Sequence, residues 1–503
     1  MTASGPRSNP GPDAPRPPRA GDAPLVTTKV PARLDRLPWS GWHWMIVVGL
    51  GTVWILDGLE VTVVGNIASR LSEPGSGLPI TDAQVTGMAA ALYVTGACAG
   101  ALFFGWLTDR YGRKKLFLIT LGVYLVATAL TAVSFSVWWF FLFRFLTGFG
   151  IGGEYAAINS AIDELIPSRY RGRVDIVING SFWLGAVGGS LLSVLMLNTR
   201  FFPADIGWRL TFAFGVVLGL AILLVRRHVP ESPRWMFIHG RAEGAEELVG
   251  AIERRVEEER GVTLPEPSEA ITIRPRKSTG FVDIARTLFR AYPRRAVLGL
   301  ALFIGQAFLY NAITFGFGSI LVTFFAVPSG NTGYYFAVIA GGNFLGPLLL
   351  CRLFDTLGRR PMIAGTYVLS GVLLFVTAWM FDRGWLNAAT MTACWCVVLF
   401  FASAGASSAY LTASEVFPME TRALAIAFFY AIGTAAGGIS GPLIFAELTR
   451  SGVVGDTALA FCIGASLMVA SGLVAAFLAV PAERRSLEDI AEPLSARAAV
   501  DAP

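Results

Sequence analysis

The sequence predicts an all-α, polytopic membrane protein with twelve transmembrane helices in two six-helix pseudo-repeats. Three observations predict this fold: long apolar runs in a chain with few charges, basic clusters that alternate from loop to loop, and two short motifs that return in the second half. Together they indicate helices that are surrounded by lipid rather than by water.

The composition is typical of a membrane protein. Hydrophobic residues make up 54% of the 503 residues and charged residues only 15%. A soluble globular protein carries roughly 25% charged residues, so this chain has too few charges to cover a water-facing surface. The formal net charge of +5 does not indicate nucleic acid binding, because the basic residues fall in short clusters between apolar runs.

Twelve apolar runs are long enough to cross a bilayer, which needs about 20 mostly apolar residues. They lie at residues 43–65, 83–106, 116–134, 137–160, 174–197, 208–227, 296–325, 333–353, 362–381, 386–412, 423–447 and 456–480. The first 38 residues hold nine prolines and no apolar run. Residues 1–38 are therefore predicted to be a disordered tail.

Basic residues predict the orientation, because cytoplasmic loops carry an excess of lysine and arginine. Three loops, after the second, fourth and eighth runs, carry clusters of them: Arg110, Arg113, Lys114 and Lys115; Arg169, Arg171 and Arg173; and Arg352, Arg359 and Arg360. Both termini and the long polar loop at 229–294 are therefore predicted to be cytoplasmic, in a protein of the plasma (inner) membrane. Within that loop, residues 241–260 have the apolar spacing of a short amphipathic helix.

The chain repeats itself. An Asp-x-x-Gly-Arg motif at 109–113 returns at 355–359, and a Glu-x-x-Pro-x-x-x-Arg motif at 164–171 returns at 415–422. Two motifs in the same order, at nearly the same offset, indicate two homologous halves with a substrate site between them near the bilayer midplane. The predicted divisions are a tail at 1–38, a first half at 39–228, a loop at 229–294, a second half at 295–482 and a tail at 483–503.

Several of these motifs resemble the major facilitator superfamily over nearly the whole chain. The stretch 105–114 resembles that family's signature between its second and third helices. The stretches 230–235 and 481–488 resemble sugar-porter motifs, whereas 150–154 and 410–415 resemble the organic-ion and metabolite–proton symporter branches. The resemblance implies a transporter with a small-molecule substrate.

Asp57 and Glu60 are the candidate proton carriers. They lie three residues apart in the first run and so share one helix face. A charge at the bilayer centre costs roughly 2.5–3.5 kcal/mol, which predicts that these acids face a wet cavity. Glu60 could instead lie at the outer interface, simply solvated. The resemblance places Glu60 where sugar–proton symporters carry their acid.

Arg144 is the predicted counter-ion of one of these acids. It lies roughly 10 Å from the outer end of the fourth run, in the same half of the bilayer as the acids of the first run. The resemblance implies that such an arginine lowers the acid's affinity for protons until substrate arrives. Alternatively, Arg144 binds an anionic substrate directly or forms a purely structural pair.

The candidate substrate contacts are uncharged. Amides offer both donors and acceptors to hydroxyls or a carboxylate. The resemblance implies that Gln306 and Asn311 match part of the sugar-porter pattern in the seventh helix and that Asn179 occupies a glutamine position in the fifth. The candidate aromatic walls of the site are Tyr410, Tyr430, Trp183 and Phe308. Packing within the membrane is the alternative role of each of these side chains.

The repeated motifs supply a candidate cytoplasmic gate. Its members are Asp109, Arg113, Glu164, Arg171, Asp355, Arg359, Glu415 and Arg422. The resemblance implies that Arg113 reaches Glu164 and that Arg359 reaches Glu415, in pairs that hold the inner helix ends together and break when the halves rock. A purely topological role for these charges is the alternative.

The sequence thus predicts a secondary active transporter of a small polar organic solute, either a sugar or polyol or an organic acid, coupled to protons by symport. A uniporter or a drug–proton antiporter is the alternative within this class, and a non-transporting receptor or scaffold is the alternative outside it. No motif indicates an enzyme, a cofactor, a metal or a nucleic acid partner. The chain is expected to act as a monomer in the lipid bilayer.

Overall fold

The computed structural model describes residues 26–81, 84–226, 231–267, 270–273, 286–418, 422–483, 485 and 487–491. Within these residues, twelve long helices are numbered α1 to α12 in chain order, six before the long loop and six after it. Their bounds are α1 Gly41–Leu71, α2 Ala90–Tyr111, α3 Arg113–Ala132, α4 Val137–Leu165, α5 Ser168–Gly180 with Phe182–Met196, α6 Ala204–Arg226, α7 Pro293–Phe325, α8 Thr332–Thr356, α9 Arg359–Asp382, α10 Ala388–Glu415, α11 Arg422–Gly433 with Ser440–Arg450, and α12 Val454–Leu478. Short π-helical turns precede α2 at Gln84–Ala89 and join the two parts of α11 at Thr434–Ile439.

Among the described residues, eleven of these helices are long and apolar enough to cross a membrane. The twelfth, α4, is 29 residues long, but Arg144 and Glu154 lower its mean hydropathy. Each helix contains most of the apolar run that predicted it. The predicted all-α fold of twelve spanning helices is therefore confirmed.

The repeated Gly-Arg pair makes the same tight turn in both halves. Gly112 lies between α2 and α3 with φ +96°, and Gly358 lies between α8 and α9 with φ +106°, a backbone region that favours glycine. Glu231 then accepts hydrogen bonds from the first two amides of α3, at 2.9 and 3.2 Å. Glu483 accepts one from the first amide of α9, at 3.3 Å. The acids of the two sugar-porter-like motifs thus cap equivalent helices.

The end of the bundle that carries these turns is called the loop face here, because the long loop packs on it. The loop contains the helices Pro233–Ile238 and Ala242–Arg260, and the second agrees with the predicted amphipathic helix at 241–260. Apolar residues on one side of it are buried: Ala245, Val249, Ile252 and Val256. At the opposite end of the bundle, called the opposite face, the connections between helices are short.

The prediction of disorder is wrong for residues 26–38. Strand β1, Val26–Thr28, pairs antiparallel with strand β2, Ile271–Ile273, and a short helix follows at Val30–Asp35, with Pro31 in its first turn. Proline suits that position because its missing N–H is not needed there. The rest of the predicted tail, residues 1–25, lies outside the described residues, as does most of the predicted tail at 483–503.

Ion pairs hold the short helix against the loop helix Ala242–Arg260. Arg33 and Arg36 each contact a carboxylate oxygen of Glu253 at 2.5 Å, and Arg33 also pairs with Glu246. Partial burial opposes the charge on Glu253, but these hydrogen bonds outweigh it and hold the pKa of the carboxyl below its ordinary value. The N-terminal segment and the loop therefore form one polar layer on the loop face.

Glycines allow the spanning helices of the first half to touch through their backbones. A Cβ atom at Gly185 of α5 would overlap the carbonyl oxygen of Ile55 in α1, and one at Gly148 of α4 would overlap the carbonyl of Tyr93 in α2. Gly148 belongs to a Gly-x-Gly-x-x-Gly stretch with the spacing of a nucleotide loop. The structure places that stretch inside α4 as a packing surface, which is the role of small residues between membrane helices.

We expect Gly185→Ala to lower the melting temperature of the purified protein, because overpacking costs about 1–3 kcal/mol and would force α1 away from α5. Gly188→Ala, three residues along the same helix, is the matched control, since the space around Gly188 is open. Thermal unfolding in detergent, read by size exclusion, compares the two. Equal melting temperatures would contradict the close contact between α1 and α5.

Candidate functional site

A central cavity of about 140 Å³ lies between the two halves. The first half contributes residues of α1, α2, α4 and α5, and the second half contributes residues of α7, α10 and α11. The lining residues are Trp54, Val61, Tyr93, Val94, Ala97, Tyr155, Asn179, Phe182, Trp183, Gln306, Ala307, Tyr310, Asn311, Thr314, Ser403, Ala406, Ser407, Tyr410, Tyr430 and Thr434. All five predicted substrate contacts, namely Asn179, Gln306, Asn311, Tyr410 and Tyr430, are among them.

The amides of the cavity are partly engaged by neighbouring residues. Asn179 donates through Nδ2 to Oδ1 of Asn159 and to the carbonyl of Asp175, both at 2.9 Å. Its Oδ1 is buried and has no hydrogen-bond partner among the described residues. Asn311 donates to the carbonyl of Ala307 at 2.8 Å. Two hydrogen bonds therefore hold the Asn179 amide at the edge of the cavity.

Aromatic rings from both halves enclose the cavity. The Trp54 ring stacks on Tyr155 with centroids 4.7 Å apart and planes 3° apart, and the Tyr430 ring meets Tyr155 edge-on at 4.9 Å. Tyr410 approaches Trp54 edge-on at 5.9 Å. Because Trp54 and Tyr155 belong to the first half and Tyr410 and Tyr430 to the second, the two edge-on contacts cross the boundary between the halves.

A second pair of rings crosses the same boundary. The ring centroids of Trp183 in α5 and Tyr310 in α7 lie 5.2 Å apart. The Tyr310 hydroxyl donates a hydrogen bond to Oδ1 of Asn343 at 3.1 Å. In all, eight of the twenty lining residues are aromatic and none is charged. Within the described residues, the cavity therefore offers flat apolar surfaces and neutral hydrogen-bonding groups.

The acid–arginine pair, Glu60 with Arg144, is buried beside the cavity and does not line it. Glu60 accepts hydrogen bonds through Oε1 from Thr128 at 3.1 Å and from Arg144 Nη1 at 3.3 Å. Both members of the pair are 1% exposed, and Asp57 is fully buried on the same helix. The structure thus joins Arg144 to Glu60, and it places Glu60 inside the bundle rather than at a solvated interface.

Tyr93 of α2 connects the pair to the cavity. The guanidinium carbon of Arg144 lies 4.8 Å from the centroid of the Tyr93 ring, a cation–π distance. Tyr93 also lines the cavity, whereas Glu60, Asp57 and Arg144 do not. The Tyr93 ring therefore contacts both the cavity and the buried guanidinium of Arg144.

The candidate gate residues of each half form an ion pair at the loop face. Arg113 contacts Glu164 at 2.9 Å, and Arg359 contacts both carboxylate oxygens of Glu415 at 3.0 Å. Arg359 also contacts Asp355 at 2.9 Å. These pairs are buried, so removing one partner would leave an uncompensated charge.

Other members of the predicted gate link one segment to another. Asp355 of the second half accepts a hydrogen bond at 3.1 Å from the backbone amide of Arg173 in the first half. Arg171 contacts Asp35 of the N-terminal helix at 3.5 Å, and Arg422 donates to the carbonyl of Ser414 at 2.6 Å. The side chain of Asp109 lies outside the described part of the chain.

The sequence interpretation missed five aromatic residues of the cavity: Trp54, Tyr93, Tyr155, Phe182 and Tyr310. Aromatic side chains are common throughout these apolar helices, so their presence alone did not select them. The one available signal was helical spacing. Trp54 lies three residues before Asp57, on the same face as the predicted proton carriers.

The sequence of this helical bundle matches a known protein family. Residues 40–494 match the family described as sugar (and other) transporter, a family of the major facilitator superfamily. This chain belongs to that family. The transporter is therefore a multi-pass membrane protein of the major facilitator fold.

The sequences of two known transporters align with most of this chain. The niacin transporter NiaP of Acinetobacter baylyi is 28% identical over 83% of this chain and 90% of its own length. Myo-inositol transporter 2 of Schizosaccharomyces pombe is 27% identical over 78% of this chain and 72% of its own length. Both are transporters of small molecules, one named for an aromatic acid and one for a polyol.

The fold is also that of a solved transporter. The proton:xylose symporter XylE, bound to 6-bromo-6-deoxy-D-glucose, superposes with a TM-score of 0.72 at 18% identity. The match covers 89% of this chain and 98% of XylE. At this identity the likeness concerns the fold.

Proposed function

We propose that this transporter is a secondary active symporter that moves a small organic acid, built on one planar ring, together with a proton by alternating access. One observation carries the proposal: an uncharged, aromatic-lined cavity between the halves lies against a fully buried acid–arginine pair. The cavity supports the substrate class, and the pair supports the coupling.

The size and lining of the cavity favour one flat ring over a polyol. A cavity of about 150 Å³ is enough for one benzene molecule, and this cavity is of similar volume. Aromatic rings prefer offset-stacked or edge-on partners, and the rings of Trp54, Tyr155 and Tyr430 at the cavity support a substrate that contains such a ring. The carboxyl group of such an acid needs few partners, and Asn179, Gln306 and Asn311 supply amide groups.

The buried pair supports proton coupling. An acid inside a membrane bundle is costly unless it is paired or titrates, and such acids are typical of proton pathways. Glu60 has Arg144 and Thr128 as its described partners. Protonation of the Glu60 carboxylate would therefore compete with the hydrogen bond that Arg144 donates to it. The relative from Acinetobacter baylyi is named as a transporter of niacin, an aromatic acid, which supports the acid substrate. The structurally similar XylE is named as a proton:xylose symporter, which supports the proton coupling.

The proposed orientation places the loop face in the cytoplasm of a plasma (inner) membrane protein, because the basic clusters lie on that face. In this orientation the ion pairs of Arg113 and Arg359 close the cytoplasmic ends of the two halves. The transition that opens them is a rocking of one half against the other. The proposal treats the chain as monomeric.

The decisive experiment is uptake into proteoliposomes with an inward proton gradient. Labelled nicotinate, benzoate, myo-inositol and xylose are compared, with protein-free liposomes as the control for passive entry of the neutral acids. We expect one or both ring acids, and neither polyol, to be concentrated above the protein-free level, and a protonophore to abolish this. The same compounds are tested as stabilisers of the purified protein, because a bound ligand raises the free energy of unfolding by about 2.7 kcal/mol at 100 Kd.

The possible outcomes separate the two parts of the proposal. Concentration of a polyol alone would overturn the substrate class and leave the coupling intact. Equilibration of a ring acid without concentration would identify a uniporter. Uptake driven by an outward proton gradient would identify an antiporter, and stabilisation without uptake of any compound would favour a receptor.

A further inference from the structure

We propose that Tyr93 couples the cavity to the acid–arginine pair: its ring holds the Arg144 guanidinium and forms the wall between that guanidinium and the substrate. This inference rests on the proposed function, since it assigns the residue through which substrate binding reaches the proton carrier. Tyr93 acts through Arg144 and is therefore a positioning residue.

The position of Arg144 depends little on hydrogen bonds. Its described side-chain hydrogen bond, to Glu60, is 3.3 Å long, whereas charge-assisted bonds are typically about 2.7–2.9 Å. The Nε and Nη2 atoms are buried and have no hydrogen-bond partner among the described residues. Among its described contacts, the guanidinium also lies 4.8 Å from the centroid of the Tyr93 ring and 5.8 Å from that of the Phe212 ring. These rings therefore contribute, together with the ion pair to Glu60, to where the charge lies.

The backbone of Tyr93 is fixed, so only its side chain can respond to a ligand. The carbonyl of Tyr93 packs directly against Gly148 of α4, where a Cβ atom would overlap it. The side chain is 5% exposed, and its exposed part faces the cavity, which it lines together with Val94 and Ala97. A substrate that fills the cavity presses on the ring without moving α2.

The charged and titratable groups around this ring come from four other helices. All of them are buried: Asp57 and Glu60 of α1, Tyr124 of α3, Arg144 and Tyr155 of α4, and Tyr430 of α11. A guanidinium that moves toward a carboxylate favours its ionised form. A shift of the Tyr93 ring that brings Arg144 closer to Glu60 therefore favours release of the Glu60 proton to water, and a shift away favours its retention.

The test compares Tyr93 variants in proteoliposomes that contain an internal pH dye. Tyr93→Phe keeps the ring and serves as the conservative variant. Tyr93→Leu and Tyr93→Met remove the ring and keep apolar volume, so that one informative variant remains if the other fails to fold. Tyr430→Leu is the matched control, because Tyr430 lines the same cavity but its described ring contacts are with Tyr155 and Tyr410.

We expect Tyr93→Phe to keep the ratio of protons to substrate moved. Tyr93→Leu and Tyr93→Met are expected to lose most of that ratio while still exchanging substrate at about a third or more of the wild-type rate, since a cation–π contact is lost but the cavity remains. Tyr430→Leu should raise the KM for substrate and leave the ratio unchanged.

Two results would overturn the assignment in different ways. A wild-type ratio in both ring-less variants would refute the role of Tyr93 and leave the proposed symport standing. Absence of proton movement in the wild-type protein, with substrate still exchanging, would refute the proposed coupling and the role of Tyr93 with it.

Discussion

Glu60→Gln is expected to abolish concentrative uptake while leaving exchange of substrate across the membrane. Glutamine keeps the shape of the side chain and an oxygen that can accept from Thr128 and Arg144, but it cannot carry a proton. A gradient of one pH unit stores about 1.4 kcal/mol, enough for about tenfold accumulation by a one-proton symporter. We expect that tenfold ratio to fall to about one. The measurement is accumulation and counterflow of the same labelled acid.

Two further variants give this result its meaning. Glu447→Gln makes the same chemical change in an exposed pair with Arg450, whose side chains are 66% and 75% exposed, and it should behave as wild type. Asp57→Asn tests the second acid of α1, which we expect to retain accumulation because the described ion pair of Arg144 is with Glu60. Full accumulation by Glu60→Gln, and its loss in Asp57→Asn, would transfer the role of proton carrier to Asp57.

Arg359→Ala is expected to reduce the rate of transport by at least about tenfold. The substitution leaves the carboxylates of Asp355 and Glu415 buried without their cation, and breaking such a pair costs about 3–5 kcal/mol. Asp355 also binds the Arg173 amide of the other half. The closed loop face should therefore be destabilised more than the individual helices. Initial rates of uptake are compared after division by the amount of folded protein, which size exclusion measures.

Arg360→Ala is the matched control for this variant. Arg360 is the next residue along α9, is exposed, and donates to the carbonyl of Ala476. The double variant Arg359→Ala with Glu415→Gln removes both charges of one pair, and it should recover part of the lost rate because fewer uncompensated charges remain. A wild-type rate in Arg359→Ala would mean that these arginines serve membrane topology alone.

The sequence predicted the fold well because lipid imposes a simple rule on composition. Every spanning helix must be apolar for about 20 residues, so counting apolar runs found the helices. Their ends were less predictable. Helix α5 starts at Ser168 rather than near residue 174, because its first turns are charged but remain helical where they contact α8 and the N-terminal segment.

The candidate site was predictable only where polarity made a residue unusual. Asn179, Gln306 and Asn311 stand out in apolar helices and all line the cavity. Trp54 and Tyr155 do not stand out, since packing and substrate contact demand the same residue types in a membrane bundle. Which aromatic rings meet across the two halves depends on tertiary packing, which the periodicity of a single helix does not contain.

The pairing of β1 with β2 has a consequence for biosynthesis. Val26 and Ile273 are partners in the strand register, although about 250 residues separate them along the chain. At about 5–20 residues synthesised per second, the N-terminal strand waits roughly 12–50 s for its partner, while the first six helices enter the membrane. During that interval Arg33 and Arg36 lack Glu253 as well, so the loop-face layer is completed only after the first half has been inserted.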